Sequence, residues 1–417
     1  MKFNIITFGC KVNQYESNMM EENMLSSNFF YEENKDLADI IIVNTCSVTN
    51  VADKKCLKMI RRIRRKNPDS LLVVAGCSSQ NNQEVYKKLD IDILLGNKDK
   101  SRIADIIKEY LKTEKRYVKF YNERELEFED MQINDYNHNR AFIKIEDGCD
   151  NFCSYCIIPY VRGSVRSKDF SKVINEAKSL ADHNHKEIVL TGIHTGHYLN
   201  NNHDLTDLIN ELSKIDNILR IRISSIEITE LNDKFLSMLE KNKKVCDHLH
   251  IPLQAGSDEI LKRMNRKYDL KYYEDKINQI RSIRPDISIT TDIIVGFPYE
   301  TDELFNSTLD FAKKMNFSKI HVFPYSKREG TSAASMPNQV DDKIKKIRVK
   351  KLMELSDKLE KEYYDKFKGK GLDILIEECD NNVSIGHTSN YLMVTLNECL
   401  TVGEIYKRTL WITLKEN

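Results

Sequence analysis

Residues 141–156 read AFIKIEDGCDNFCSYC. A short apolar run, Ala141–Ile145, is followed almost at once by Cys149, Cys153 and Cys156 in the spacing C-x3-C-x2-C. The run reads as a strand and the cysteines as a loop at its carboxyl end. Three thiolates on one loop can each hold one iron of a cubane cluster, which leaves the fourth iron without a protein ligand. Such an open iron can coordinate a small molecule. A zinc site usually takes four ligands in paired spacings. No fourth cysteine lies near this loop, and the nearest histidines, His138 and His183, form no paired motif.

Beyond this loop the chain alternates strand and helix. Ala141–Ile145, Glu187–Leu190, Ile221–Ser224, His248–Ile251, Ser288–Val295 and His321–Phe323 read as strands, and helical patterns separate several of them. Six such units predict an α/β fold with a full or partial (β/α) barrel. Active sites gather at the carboxyl ends of barrel strands. The turns found there are Thr191-Gly192-Ile193-His194, Ser224-Ser225-Ile226-Glu227, Gln254-Ala255-Gly256-Ser257 and Asp292–Pro298. Thr191, Gly192, Ser225, Glu227, Gln254 and Asp292 are therefore candidates to cradle a cofactor. His194 and His197 read as solvated or hydrogen-bonded loop histidines rather than metal ligands.

Toward the N-terminus the alternation recurs. Phe3–Phe8, Ile40–Val43 and Leu71–Ala75 read as strands, Glu16–Leu25 and Val51–Arg65 as helices, which predicts a doubly wound parallel sheet. Cys10, Cys46 and Cys77 each end an apolar run: IITFGC, IIIVNTC and LLVVAGC. Carboxyl ends of neighbouring parallel strands share one edge, where ligands bind. With strands ~4.8 Å apart, three such cysteines can converge on one centre without being close in sequence. They predict a second three-cysteine cluster. Cys56, Cys246, Cys379 and Cys399 lack this placement and read as packing or loop residues.

The chain has 417 residues, enough for two or three domains. Lys+Arg and Asp+Glu both total 64, so any nucleic-acid binding must come from local patches. The segment ADKKCLKMIRRIRRK at 52–66 supplies one. Leu57, Ile60 and Ile63 share a helical face, and Lys54, Lys55, Lys58, Arg61, Arg62, Arg64, Arg65 and Lys66 crowd the remainder, a match to RNA phosphates, with Lys54, Lys55, Lys58, Arg61, Arg62 and Arg65 the candidate RNA contacts. No apolar run approaches the ~20 residues of a membrane span. The N-terminal apolar stretch is short of a ~7–15-residue signal core. The expectation is a cytosolic protein, where structural disulfides are uncommon. Residues 112–139 read as a charged linker, 341–368 as one long helix, and Leu372–Ile376, Tyr391–Leu396 and Tyr406–Leu414 as strands of a small β-barrel. From Lys366 to Asn417 there are six Lys/Arg and seven Asp/Glu, no basic surplus for RNA. Tyr391 and Trp411 read as core of that barrel rather than base-stacking residues.

Together these segments resemble the methylthiotransferase family of radical S-adenosylmethionine enzymes. GCKVNQYES, NTCSVTN and AGCSSQ resemble its N-terminal cluster-binding domain, over 1–112. EDGCDNFCSYCIIPYVRG, HLHIPLQAGSDEILKRMNRKY and TDIIVGFPYETDE resemble its radical domain, over 135–364. GKGLDILIEE and GHTSNYLMVTL resemble the TRAM β-barrel, over 365–417. KVNQYES and NTCSVTN are similar to the branch acting on N6-threonylcarbamoyladenosine beside the anticodon of tRNA. The isopentenyladenosine branch usually differs after its NTC cysteine, and the ribosomal-protein branch usually has proline where this chain has Lys11. A zinc-stabilised, non-enzymatic RNA-binding protein is the rival from another class.

The resemblance implies two [4Fe–4S] clusters and S-adenosylmethionine as cofactors. It implies that the Cys149/Cys153/Cys156 cluster binds and cleaves S-adenosylmethionine to a radical that attacks C2–H of the adenine, with Tyr155 packing on the cofactor's adenine. It implies that the Cys10/Cys46/Cys77 cluster carries the sulfur to be inserted, and that a second S-adenosylmethionine supplies the methyl group. The implied partners are tRNA, a one-electron donor such as flavodoxin or ferredoxin, and a sulfur donor.

Overall fold

The computed structural model describes residues 1–122, 127–134 and 139–410. His138, Trp411 and the end of the expected strand Tyr406–Leu414 lie outside them. The chain divides into two compact units. The first comprises Met1–Asn134, Lys144–Lys168 and Ser326–Thr331, and the second takes the remaining described residues.

The first unit is built on a six-stranded sheet. Its order is Phe30–Tyr31, Lys2–Thr7, Ile40–Thr45, Leu71–Gly76, Ile93–Leu95 and Tyr117–Lys119, and every pair is parallel. Ile40–Thr45 and Leu71–Gly76 are buried along their whole length, as strands covered on both faces must be. Successive strands run to opposite sides of Lys2–Thr7, so the topological switch point lies between Lys2–Thr7 and Ile40–Thr45. The expected linker is corrected in one respect. Tyr117–Lys119 adds a sixth strand through pairing with Ile93–Leu95, a tertiary contact that three residues among charged neighbours do not announce.

In the second unit, Arg140–Lys144, Glu187–Thr191 and Arg220–Ile223 form one three-stranded sheet, and His248–His250, Ser288–Val295 and Lys319–Pro324 another. A parallel bridge from Ile221 to Val245 and a hydrogen bond from Ile226 N–H to the His250 carbonyl (3.0 Å) join the two sheets. The six strands make a partial (β/α) barrel, one arm of the expectation. Helix Asp342–Asp365 leads to an antiparallel sheet in the order Met393–Leu396, Val383–Thr388, Gly371–Asp380, Ile405–Thr409. Tyr363, Phe367, Ile374, Ile376, Leu392, Val394 and Leu410 form its core, consistent with a small barrel.

Tyr391 stacks between His248 (4.7 Å) and His387 (5.0 Å), with the Arg222 guanidinium over its ring. Half-buried and outside that core cluster, it corrects the expectation that it fills the small barrel. Cys379 and Cys399 correct another expectation. They form a disulfide, because the antiparallel sheet brings their Cα atoms to 5.7 Å across a separation of 20 residues. Cys56 and Cys246 are buried packing residues. No helix among the described residues is long and apolar enough to cross a membrane.

Candidate functional site

All six cysteines of the two trios belong to the first unit. Cys10 occupies the residue just before helix Lys11–Ser26, at its N-terminus. Cys46 directly follows strand Ile40–Thr45, and Cys77 directly follows Leu71–Gly76. Thr45 pairs with Gly76, so Cys46 and Cys77 leave adjacent strands at the same level. Two glycines permit this approach. Gly9 has φ +111°, and a Cβ there would lie 2.7 Å from the Cys46 sulfur. Gly76 has φ +112°, and a Cβ there would lie 2.4 Å from the Thr45 carbonyl oxygen. Asn13 ties the loops together by donating to the Phe8 carbonyl at 2.8 Å and the Thr45 carbonyl at 2.9 Å.

The thiols feel one another. Burial pushes the Cys46 thiol up to about 12, and negative charge on Cys77 or Cys10 would raise it further. Burial also pushes Cys77 up, against the pull of Arg162 and Lys100. Cys149 is raised by burial and then by Cys156 and Cys153. In its loop, Cys156 N–H donates to the Cys153 carbonyl at 2.9 Å, and Cys149 N–H to the Gly163 carbonyl at 3.0 Å. Tyr155 is half-buried on the same loop. Bare sulfurs this buried are poor thiolates, and a bound cation reverses that balance.

An all-thiolate donor trio is chemically suited to an iron–sulfur cluster, whose thiolates sit on separate irons. Among the described residues, the groups whose ligand atoms lie within 4.8 Å of one another are His194/His197/Glu230 and His250/Asp292/His321.

A buried charge network beside Cys77 was not anticipated from sequence. Arg162, 1% exposed, donates from Nε to the Cys77 sulfur at 3.2 Å. Its other nitrogens reach Asn13 (2.7 Å), Glu16 (2.9 Å) and Asp147 (3.0 Å). Lys144 bonds Glu16 and Asp147, each at 2.7 Å, and Lys100 also pairs with Glu16. Burial pushes the Glu16 carboxyl up, but Arg162, Lys100 and Lys144 together hold it well below the usual carboxylate range. Ile157 and Val161 pack directly on Cys77. The signals were the polar NQYES following Cys10 and the Arg-Gly that closes the Cys149 segment.

The basic helix runs from Asn50 to Lys66, with Thr49 capping it by accepting from Ala52 N–H. Ile60 and Ile63 are buried, and Lys54, Lys55, Lys58, Arg61, Arg62 and Arg65 are exposed. Arg64 turns inward to Asp92 (2.5 Å) and to the carbonyls of Pro68 and Ser70. Arg328, another residue missed from sequence, pins the start of this helix through Ser47 (2.6 Å), Asn50 (2.7 Å) and Asp53 (2.7 Å).

In the second unit the candidate cofactor residues fall at strand ends. Thr191 is buried at the end of Glu187–Thr191, and Gly192 and Ser225 are partly exposed on neighbouring turns. Gln254 donates its N–H to the Asp292 carbonyl at 2.8 Å. Asp292 faces His250 at 3.4 Å, and Glu227 pairs with Arg266. His194 contacts Glu230 and stacks on His197 at 3.8 Å, and the three side chains form a group that could hold a metal ion, against the expectation of plain loop histidines.

Residues 143–312 match the Radical SAM superfamily, and residues 2–96 match Uncharacterized protein family UPF0004. The threonylcarbamoyladenosine tRNA methylthiotransferase MtaB of Bacillus subtilis is 40% identical over 93% of this chain and 88% of its own length. The tRNA-2-methylthio-N(6)-dimethylallyladenosine synthase of Alkaliphilus oremlandii is 34% identical over 95% of this chain and 87% of its own length. The chain belongs to the methylthiotransferase family of radical S-adenosylmethionine enzymes. Membership makes it an enzyme and implies S-adenosylmethionine and [4Fe–4S] clusters as cofactors. Among solved structures, a radical S-adenosylmethionine methyltransferase, TsrM, from Kitasatospora setae aligns with a TM-score of 0.57 over 80% of this chain and 77% of that one. Its 13% identity speaks for the fold alone.

Proposed function

We propose that this enzyme converts N6-threonylcarbamoyladenosine, beside the anticodon of tRNA, into its 2-methylthio derivative. The observation that carries the reading is the gathering of two separate cysteine trios in one compact unit, on a chain 40% identical to a relative of that name. When bound, [4Fe–4S] clusters with S-adenosylmethionine supply the radical chemistry that an unactivated aromatic C–H bond demands.

The residues divide the work. Cys149, Cys153 and Cys156 would hold the cluster that takes S-adenosylmethionine, and Cys10, Cys46 and Cys77 the auxiliary one. Tyr155, Thr191, Gly192, Ser225, Glu227, Gln254 and Asp292 are the proposed cofactor contacts. Burial of Cys46 and Cys77 excludes water from one side of the auxiliary site, while the exposed Cys10 leaves an edge through which sulfur can enter and leave. Lys54, Lys55, Lys58, Arg61, Arg62 and Arg65 offer RNA phosphates a continuous basic face. An external one-electron donor such as flavodoxin or ferredoxin, a sulfur donor and a cytoplasmic location complete the proposal.

The test is mass spectrometry of nucleosides from tRNA of a deletion strain and of the complemented strain. Loss of 2-methylthio-N6-threonylcarbamoyladenosine, restored by the gene, supports the assignment. Loss of the dimethylallyladenosine product instead would give the substrate of the second named relative. Unchanged tRNA with an altered ribosomal protein would overturn the tRNA assignment.

A further inference from the structure

We propose that Arg162 is a positioning residue for the auxiliary site: it fixes Cys77 in place and raises the reduction potential of the cluster that Cys10, Cys46 and Cys77 would carry. The inference rests on the cluster assignment made above.

The geometry is specific. The Arg162 Nε–H lies 3.2 Å from the Cys77 sulfur, while the remaining nitrogens are held by Asn13, Glu16 and Asp147 at 2.7–3.0 Å. A guanidinium presents its donors in a rigid fork, so anchoring the far side aims Nε. Burial keeps it from being hydrated away and strengthens each bond. Potentials of iron–sulfur clusters depend on net charge, hydrogen bonds to sulfur and exposure. A buried N–H donor on a ligand sulfur favours the more negative, reduced state, and so does the positive charge.

Arg162 also links the two trios. It ends the short helix Ile158–Arg162 that follows Cys156, and the next residue, Gly163, accepts the Cys149 N–H. Ile157 and Val161 of the same stretch pack on Cys77. The segment that closes the Cys149 loop is therefore also the wall of the Cys77 site. Asn13, which takes the guanidinium, is bonded to the carbonyls of Phe8 and Thr45, just ahead of Cys10 and Cys46. One side chain thus reports on all three strand ends.

The experiment uses the full-length chain with Cys149, Cys153 and Cys156 replaced by Ala, so that only the auxiliary cluster is reconstituted. Arg162→Gln and Arg162→Lys are made in this parent. Each is titrated anaerobically, with the reduced cluster read by electron paramagnetic resonance. In Arg162→Gln the one-electron reduction constant should fall at least tenfold, about 59 mV. Arg162→Lys, which keeps the charge and gives up the Nε–H fork, should fall by less. Failure of both variants to hold the cluster, with native circular dichroism, would support the positioning role. A fully loaded cluster with the parent's potential in both would overturn the proposal. A parent that binds no cluster would refute the underlying assignment instead.

Discussion

Cys149, Cys153 and Cys156 share one loop and owe their proximity to covalent spacing, whereas Cys10, Cys46 and Cys77 owe theirs to strands being neighbours in a sheet. The contrast has energetic consequences. A loop trio needs little of the fold to be in place before it can bind metal. The strand-end trio exists only once Lys2–Thr7, Ile40–Thr45 and Leu71–Gly76 have paired, so metal binding there is coupled to folding of the whole sheet. It also leans on a fully buried network of three cations and two carboxylates, Arg162, Lys144 and Lys100 with Glu16 and Asp147.

The comparison breaks most visibly at the loop trio. Cys149→Ala should abolish both cleavage of S-adenosylmethionine and methylthio product, measured by chromatography of 5′-deoxyadenosine and of nucleosides. Cys10→Ala should separate the two activities, retaining cleavage within several-fold while methylthio product falls below detection. Normal product from this variant would contradict the role given to the strand-end trio.

The network comes next in size. Glu16→Gln leaves Arg162, Lys144 and Lys100 with a weakened partner, and should destabilise the first unit by about 3–5 kcal/mol in denaturant unfolding. The native Glu16 carboxyl lies well below its unfolded value, so its contribution is present above the unfolded pKa of about 4.3 and is lost as pH falls below that value. Acid unfolding of the metal-free chain should therefore begin below that pH, and Glu16→Gln should flatten the dependence. Equal acid sensitivity in both chains would count against the network. The smallest effect belongs to the basic helix. Lys58→Ala with Arg62→Ala should weaken binding of an anticodon stem-loop several-fold and lower the magnitude of the salt slope by about 0.7 per lost phosphate contact, leaving cleavage of S-adenosylmethionine unchanged.

Much of this molecule is legible in its sequence because its strands are long, fully buried apolar runs such as IIIVNT and LLVVAG. Their carboxyl ends point to the strand-end trio once the sheet is assumed parallel. Short or polar elements were not legible. Tyr117–Lys119 is a strand only through its partner, and Val383–Thr388, with the sequence VSIGHT, holds a glycine because a Cβ there would lie 2.1 Å from the Leu375 carbonyl oxygen. Pairing of Cys379 with Cys399 likewise depends on sheet register. The Arg162 network leaves only the polar NQYES and an Arg-Gly as signals for the same reason: its members come from separate parts of the chain and meet only in the folded core. Arg64 shows the converse, since a residue of the basic run proved to be structural.

Anaerobic reconstitution with iron and sulfide, followed by iron counting on the intact chain and on two triple-alanine variants, addresses the central claim most directly. Two independent cubane sites give about eight irons in the intact chain and about four in each variant. Four or fewer in the intact chain, or a strand-end variant that still holds eight, would contradict it.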